Sequence, residues 1–166
     1  MVSLPLGALA LTEAHLRDDR PRPEQVAGLV DAVEEALGSV SVLGAARRCG
    51  ARLVASGGTA TALAALELRL DTYEPRRVHG TRLTGDVLAA LVDRLVMLPD
   101  GARERLGALD PGRVAVLPAG ALLLDAVLHA SGGAAVRVSD HGVRHAYLRE
   151  RLAAAGVAAD LRCLWG

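Results

Sequence analysis

The stretch Leu53-Val54-Ala55-Ser56-Gly57-Gly58-Thr59-Ala60-Thr61 predicts a strand-to-helix junction at the centre of this chain. Its apolar run is typical of a buried strand, and a helical pattern starts at or just after Thr59. The first N–H groups of a helix have no partners within the helix, and the helix dipole is positive there. Because Gly57 and Gly58 carry no side chains, a phosphate group could approach these N–H groups closely. Such junctions more often occur without a ligand, so this stretch alone does not decide between the two interpretations.

The composition is that of a globular protein, and it argues against several classes of partner. The chain has 166 residues, of which 51% are hydrophobic, so it can form one domain with a buried core. Its 19 basic and 19 acidic residues cancel, and only 2% of residues are aromatic, so we expect no nucleic-acid partner. The apolar start at 1–11 is too short to span a membrane, and we expect no membrane partner. Two cysteines without secretory features favour a cytoplasmic location, although a pairing of Cys49 with Cys163 stays open.

Strand and helix patterns alternate along the chain, which predicts an α/β fold with a largely buried sheet. Strands are expected at 2–7, 53–55 and 135–139, and helices at 8–16, 24–37, 45–50, 59–70, 84–98, 100–106, 110–129 and 143–154. The segment 40–43 could be a strand or a loop, and 71–80 is expected to be a loop. Asp110 and Pro111 favour one long helix that is kinked at Pro118, with a strand at 114–117 as the alternative.

One pair of histidines has a spacing that is compatible with a metal site. His141 and His145 stand four residues apart beside Asp140, but Gly142 lies between them and a third ligand is not evident. Positions in a turn and on the surface explain these residues equally well. We therefore expect no metal ligand in this chain.

Arginine side chains are the other candidates for binding an anion, because a guanidinium group can hold two phosphate oxygens at once. Arg144 follows a strand-to-helix turn, which is where open α/β sheets collect ligands. Arg76 and Arg77 are expected to lie in a solvated loop. Asp125 and His129 are expected to form a solvated pair on one helix.

Five stretches of the sequence form a set whose order can be compared with known families. In chain order they are Ser3-Leu4-Pro5-Leu6-Gly7-Ala8 with Leu11-Thr12-Glu13, Ser56-Gly57-Gly58-Thr59-Ala60-Thr61 with Leu63-Ala64-Ala65-Leu66, Tyr73 with Val78-His79-Gly80, Arg113-Val114-Ala115-Val116-Leu117-Pro118-Ala119-Gly120-Ala121, and Val138-Ser139-Asp140-His141-Gly142-Val143-Arg144. Together they resemble the exopolyphosphatase / guanosine pentaphosphate phosphohydrolase (Ppx/GppA) family. The resemblance extends from about Val2 to Leu152. No single stretch is specific, but their order and spacing are hard to obtain by chance.

The resemblance implies an actin-like fold of the ASKHA class, in which two RNase H-like lobes close over a phosphate-bearing ligand. It implies that residues 1–155 form part of the second lobe, followed by a tail at 156–166. This lobe would be a mixed sheet flanked by helices and lacking its first hairpin. The family's acidic Gly-rich phosphate loop and its catalytic carboxylate have no match in this sequence. We therefore expect no catalytic residue in this chain, and no activity of the chain alone.

The resemblance also implies a function for the complete protein. It would be a phosphatase in which a carboxylate-activated water, aided by Mg²⁺, hydrolyses terminal phosphoanhydrides of inorganic polyphosphate or guanosine pentaphosphate. An N-terminal lobe and a homodimer are the implied partners. His145-Ala146 departs from the family's usual Glu-Gly, which weakens any role assigned to that helix start. The expected phosphate-binding residues are Ser56, Gly57, Gly58, Thr59, Gly120 and Arg144.

The alternative is a protein of a different class, a non-catalytic actin-like module. Such a module would bind a phosphate ligand or a protein partner through an exposed sheet edge, which we expect near Val2 to Leu6 because the predicted first strand has no neighbour. The sequence does not distinguish polyphosphate from guanosine pentaphosphate as the ligand.

Overall fold

A small mixed sheet with helices packed around it forms the described part of the chain, residues 2–156 of a computed structural model. The strands are β1 (Leu53–Ser56), β2 (Arg82–Thr84) and β3 (Ala135–Ser139). The helices are α1 (Ala8–His15), α2 (Pro23–Gly38), α3 (Ser41–Cys49), α4 (Gly58–Glu67), α5 (Pro75–Val78), α6 (Gly85–Met97), α7 (Asp100–Arg103), α8 (Leu117–Ser131) and α9 (Val143–Ala154), with a 3₁₀ helix at Pro111–Val116.

β3 is the central strand of the sheet. It pairs in parallel with β1 on one side and antiparallel with β2 on the other, so the strand order is β1-β3-β2. Leu83, Val136 and Val138 are buried on these strands and join the hydrophobic core. The predicted α/β class and its mixed sheet flanked by helices are confirmed.

Helix α8 is the centre of the core, and it contacts α1, α2, α3, α4 and α6. Small buried residues at its start let neighbouring helices approach. A Cβ atom added to Gly120 would lie 2.5 Å from Thr59 Oγ1, so the glycine is required for the close contact between α8 and α4. Among the described residues, one helical segment, 111–131, is long and apolar enough to cross a membrane, with a mean hydropathy of 1.7. Half of its most apolar window is buried within the fold, as expected of a core helix.

The predicted strand at 2–7 is wrong. These residues form irregular chain, and Leu4 and Leu6 obtain their burial by packing against the hydrophobic core instead of in a sheet. Pro5 has no N–H group for a strand ladder, which disfavours a paired strand at this position. The sheet edge expected near Val2 to Leu6 is therefore absent there. In the described part of the chain, β1 and β2 are the two edge strands of the sheet, and Val54 on β1 is 60% exposed.

The region from 110 to 131 also differs from the prediction. A 3₁₀ helix precedes α8, so Pro118 lies in the first turn of an α-helix and does not kink the middle of one. The missing N–H group of a proline has no intrahelical partner to lose in a first turn, which is why proline is tolerated there. The alternative strand at 114–117 is also wrong, because these residues are helical.

Three shorter segments complete the comparison with the sequence prediction. Residues 41–43 begin α3 and are neither a strand nor a loop, and Gly50 ends that helix in the left-handed conformation with φ 62°. The predicted loop at 71–80 contains the single turn α5, and β2 was not predicted. Thr84 is the N-cap of α6, and its hydroxyl accepts a hydrogen bond from Val87 N at 3.4 Å. The suggested partner of Cys49, Cys163, lies outside the described residues, as does the tail beyond Gly156.

Candidate functional site

The carboxyl ends of β1 and β3 meet at one edge of the sheet. The two strands are parallel, and Ser56 pairs with Ser139, so the chain leaves both strands at the same level. The junction Gly57-Gly58 and the turn 140–142 are therefore neighbours. An open cleft of about 670 Å³ lies between them. This is the edge at which open α/β sheets bind ligands.

The start of α4 forms one wall of the cleft. Gly57 is the N-cap residue, and its φ of 110° is a backbone conformation that residues other than glycine rarely adopt. It has no side chain with which to cap the helix, and no other residue between 2 and 156 forms a side-chain cap there. The first N–H groups of α4 therefore stay available to a ligand at the positive end of the helix dipole.

Arg113 lies directly against this helix start. A Cβ atom added to Gly58 would stand 1.6 Å from Arg113 Nη1, so the guanidinium group occupies the space beside the Gly58 backbone. Arg113 Nε lies 3.3 Å from Oδ2 of Asp110, and Oδ1 of the same carboxylate accepts a hydrogen bond from Gly112 N. The guanidinium group and the start of α4 are both positive, so an anion placed between them would interact favourably with both.

Tyr73 and Asp140 form a polar pair in the cleft. The Tyr73 hydroxyl donates a hydrogen bond to the Asp140 carboxylate. Burial, and then this hydrogen bond, raise the pKa of Tyr73 to about 12. Tyr73 is thus a neutral donor at physiological pH, and it holds one oxygen of Asp140. Asp71 and Asp110 also line the cleft, so its arginines are balanced by carboxylates.

Three histidine rings stack behind the turn 140–142. The ring centroids of His79 and His141 are 4.3 Å apart, and those of His141 and His145 are 4.7 Å apart. Burial, and then the neighbouring His79 and His145, lower the pKa of His141. Within residues 2–156, no group of three histidine, cysteine or acidic side chains is arranged to hold a metal ion.

The six predicted phosphate-binding residues fall into three groups. Gly57, Gly58 and Arg144 line the cleft. Thr59 lines a smaller pocket of about 230 Å³ beside Gly58 and Arg113, and Ser56 is exposed at the end of β1. Gly120 is buried against Thr59 and does not line the cleft, which gives this glycine a packing role. The binding roles of all six stay predictions.

Arg113 is the site residue that sequence reasoning missed. Asp110 and Pro111 indicated a helix start nearby, but no local signal shows that a side chain there reaches Gly58. Arg77 is exposed and pairs with Glu74 at 2.9 Å, as expected of a solvated loop. Asp125 pairs with His129 as predicted, with 3.5 Å between Oδ2 and Nδ1, but it is more buried than predicted. Its other carboxylate oxygen is buried and has no hydrogen-bond partner among the described residues.

Solved structures with the same fold define the class of protein. A Ppx/GppA family member from Aquifex aeolicus matches with a TM-score of 0.82 and 29% identity, over 93% of this chain and 49% of that one. An exopolyphosphatase from Cytophaga hutchinsonii shares the fold, with a TM-score of 0.76 and 17% identity, over 92% of this chain and 49% of that one. The fold is therefore that of an actin-like ASKHA domain.

Sequence comparison gives the family. The profile of the Ppx/GppA phosphatase family matches residues 1–154, so the chain belongs to the Ppx/GppA phosphatase family. Exopolyphosphatase 2 of Mycobacterium tuberculosis is 28% identical over 127 residues, which are 74% of this chain and 38% of that protein. The chain thus spans less than half the length of these relatives.

Proposed function

We propose that this chain supplies the phosphate-binding backbone of a phosphatase that hydrolyses terminal phosphoanhydrides of inorganic polyphosphate or guanosine pentaphosphate. One observation carries the proposal. The start of α4 has no side-chain cap, and it lies against the Arg113 guanidinium in a cleft that Arg144 also lines. Three positive groups that converge on an open cleft favour an anionic ligand with several oxygens.

The residues of the cleft would act by binding and orientation. Phosphate oxygens would accept hydrogen bonds from the first N–H groups of α4 and from the guanidinium groups of Arg113 and Arg144. These donors would hold the terminal phosphate in place and neutralise part of its charge during transfer to water. Tyr73 would keep the Asp140 carboxylate turned toward its hydroxyl and away from the phosphate.

Water activation is assigned to another part of the polypeptide. The chain spans about half of its solved relatives, and we propose that the remaining lobe contributes the catalytic carboxylate. Mg²⁺ would polarise phosphate oxygens in the complete enzyme. The described residues do not fit a complete metal site, because they contain no group of three suitable ligands. No step is therefore assigned to a metal on this lobe.

Hydrolysis assays of the purified chain test this division of roles. We expect no release of phosphate from polyphosphate or guanosine pentaphosphate with or without Mg²⁺, and release after the N-terminal half of a full-length relative is added. Hydrolysis by the chain alone would refute the proposal that the base lies elsewhere. Arg113→Ala should abolish the activity of the mixture, with the exposed Arg76→Ala as the matched control.

A non-catalytic binding module is the second candidate, and the β1 edge favours it. This edge pairs with no strand in the described part of the chain, and Val54 is 60% exposed on it. Inactivity of the mixture, together with tripolyphosphate binding by the chain alone, would favour the module over the enzyme.

A further inference from the structure

The start of α9 is capped by a histidine. Gly142 is the N-cap residue, and its N–H group donates a hydrogen bond to Nδ1 of His145, three residues later, at 3.1 Å. Glutamate or glutamine usually makes this contact, and neither loses its acceptor near neutral pH. An imidazole nitrogen accepts a hydrogen bond only while it carries no proton. This cap therefore requires a neutral His145 ring.

A second histidine holds the other end of the same turn. The N–H group of Asp140 donates to Nδ1 of His79 at 3.3 Å, and His79 belongs to a distant part of the chain, directly after α5. Within the turn, Ser139 Oγ accepts a hydrogen bond from His141 N at 3.2 Å. The hydroxyl oxygen of Ser139 keeps its ability to accept a hydrogen bond when the pH changes. An imidazole nitrogen loses this ability when it gains a proton.

The stacking of the three rings couples their protonation. The ring centroids of neighbouring histidines are 4.3 and 4.7 Å apart. A positive charge on one ring therefore disfavours protonation of the next ring. The charged groups that act on the central ring, His141, are Asp140, which favours its protonation, and Arg149, which opposes it. Histidine is the side chain whose charge ordinarily changes between about pH 5 and pH 8.

We infer that His79 and His145 are positioning residues that hold the turn 140–142 in its cleft-lining form only while their rings are neutral. Acidification then releases the turn that carries Asp140 and Gly142, and it frees the start of α9 that carries Arg144. All three residues line the cleft. Anion binding in the cleft weakens as a result, a consequence that rests on the proposed function.

The first experiment follows the backbone and needs no ligand. In ¹⁵N NMR spectra of the full chain between pH 8 and pH 5, the amides of Asp140 and Gly142 should titrate together with the histidine rings. His145→Asn places an oxygen acceptor near the position of Nδ1, so the shift of the Gly142 amide between pH 8 and pH 5 should become smaller than in the wild type, while that of the Asp140 amide is retained. His145→Phe keeps a ring but no acceptor, so Gly142 should be released already at pH 8. His15→Asn, in α1, is the matched control and should behave as wild type.

The second experiment measures tripolyphosphate binding by calorimetry. Because terminal phosphate groups also gain protons in this range, the wild type is compared with His145→Asn. Between pH 8 and pH 5.5 we expect the wild-type affinity to fall by at least about threefold more than that of His145→Asn. If the rings acted only as added positive charge, the wild type would lose less affinity than His145→Asn, and that result would overturn the inference. A Gly142 amide that does not titrate in the wild type would also overturn it. Absence of binding at both pH values would contradict the proposed function, and the amide titration would then decide the inference alone.

Discussion

Gly58 offers a direct test of the proposed anion site, because an added methyl group would meet the Arg113 guanidinium. The new Cβ atom would lie 1.6 Å from Nη1 and 2.7 Å from Cζ. In Gly58→Ala the guanidinium group must therefore retreat by about 2 Å to restore a normal contact of about 3.5 Å. The backbone of Gly58 is helical and needs no positive φ, so alanine itself is not strained there.

The size of the effect follows from the contacts that are lost. Alanine is favoured over glycine in a helix by up to about 1 kcal/mol, so the free energy of unfolding should not fall. A hydrogen bond from a charged donor contributes about 1.5–3 kcal/mol. The Arg113 side chain is 56% exposed, so the low end of that range applies. Tripolyphosphate should bind about tenfold more weakly to Gly58→Ala.

Calorimetry with tripolyphosphate at low salt measures the affinity, and urea denaturation measures the stability. Gly38→Ala is the matched control, because a Cβ atom at this helical glycine meets nothing within 4 Å. Gly38→Ala should leave the affinity for tripolyphosphate unchanged, and it should not lower the free energy of unfolding. A Gly58→Ala protein that binds like wild type would refute the placement of the phosphate beside Gly58.

The route through Arg113 is tested by a double-mutant cycle. If Gly58→Ala acts only by displacing the guanidinium group, the double mutant Gly58→Ala/Arg113→Ala should bind no more weakly than Arg113→Ala alone. Losses that add fully in the double mutant would show that the methyl group blocks the anion by itself.

Three further predictions concern charged side chains. Arg144→Ala should weaken tripolyphosphate binding. In calorimetry at several salt concentrations, the slope of log K against log[salt] should become smaller by about one. An unchanged slope would show that Arg144 does not contact the phosphate and has only a structural role. Arg103 is 2% exposed and donates to two backbone carbonyls. Each hydrogen bond from a charged donor contributes about 1.5–3 kcal/mol, so Arg103→Met should lower the free energy of unfolding by about 3–6 kcal/mol in urea denaturation. The exposed Arg105→Met should cost less than about 0.5 kcal/mol. Burial raises the pKa of Asp125, so its ionisation destabilises the fold as pH rises through that pKa. Asp125→Asn should raise the Tm at pH 7, and this gain should vanish as pH falls to about 4 and below.

Local sequence patterns predicted the elements that form the cleft edge. β1 and β3 were both recognisable as apolar runs that end at turn residues, and the glycines after β1 indicated the exposed start of α4. β2 has only three residues, which is too short to show an alternating pattern. The apolar start at 2–7 resembled a strand because burial against helices produces the same composition as burial in a sheet.

The chemistry of the site was harder to predict, because it depends on contacts between distant segments. Arg144 could be placed at the cleft from its position after β3. Arg113 could not, since its reach to Gly58 follows from the packing of α8 against α4. The hydrogen bonds from the turn 140–142 to His79 and His145 likewise require side-chain geometry that spacing does not give.

The pairing of Ser56 with Ser139 has a consequence for how related sequences can vary. Backbone hydrogen bonds between β1 and β3 set the relative height of the two loops that border the cleft. Substitutions in either strand leave this height unchanged. An insertion of one residue would shift one loop by about 3.3 Å and turn its side chains to the other face of the sheet. Insertions and deletions should therefore be tolerated at the opposite ends of the strands, in the connections 50–52 and 132–134, and be eliminated by selection within the strands themselves.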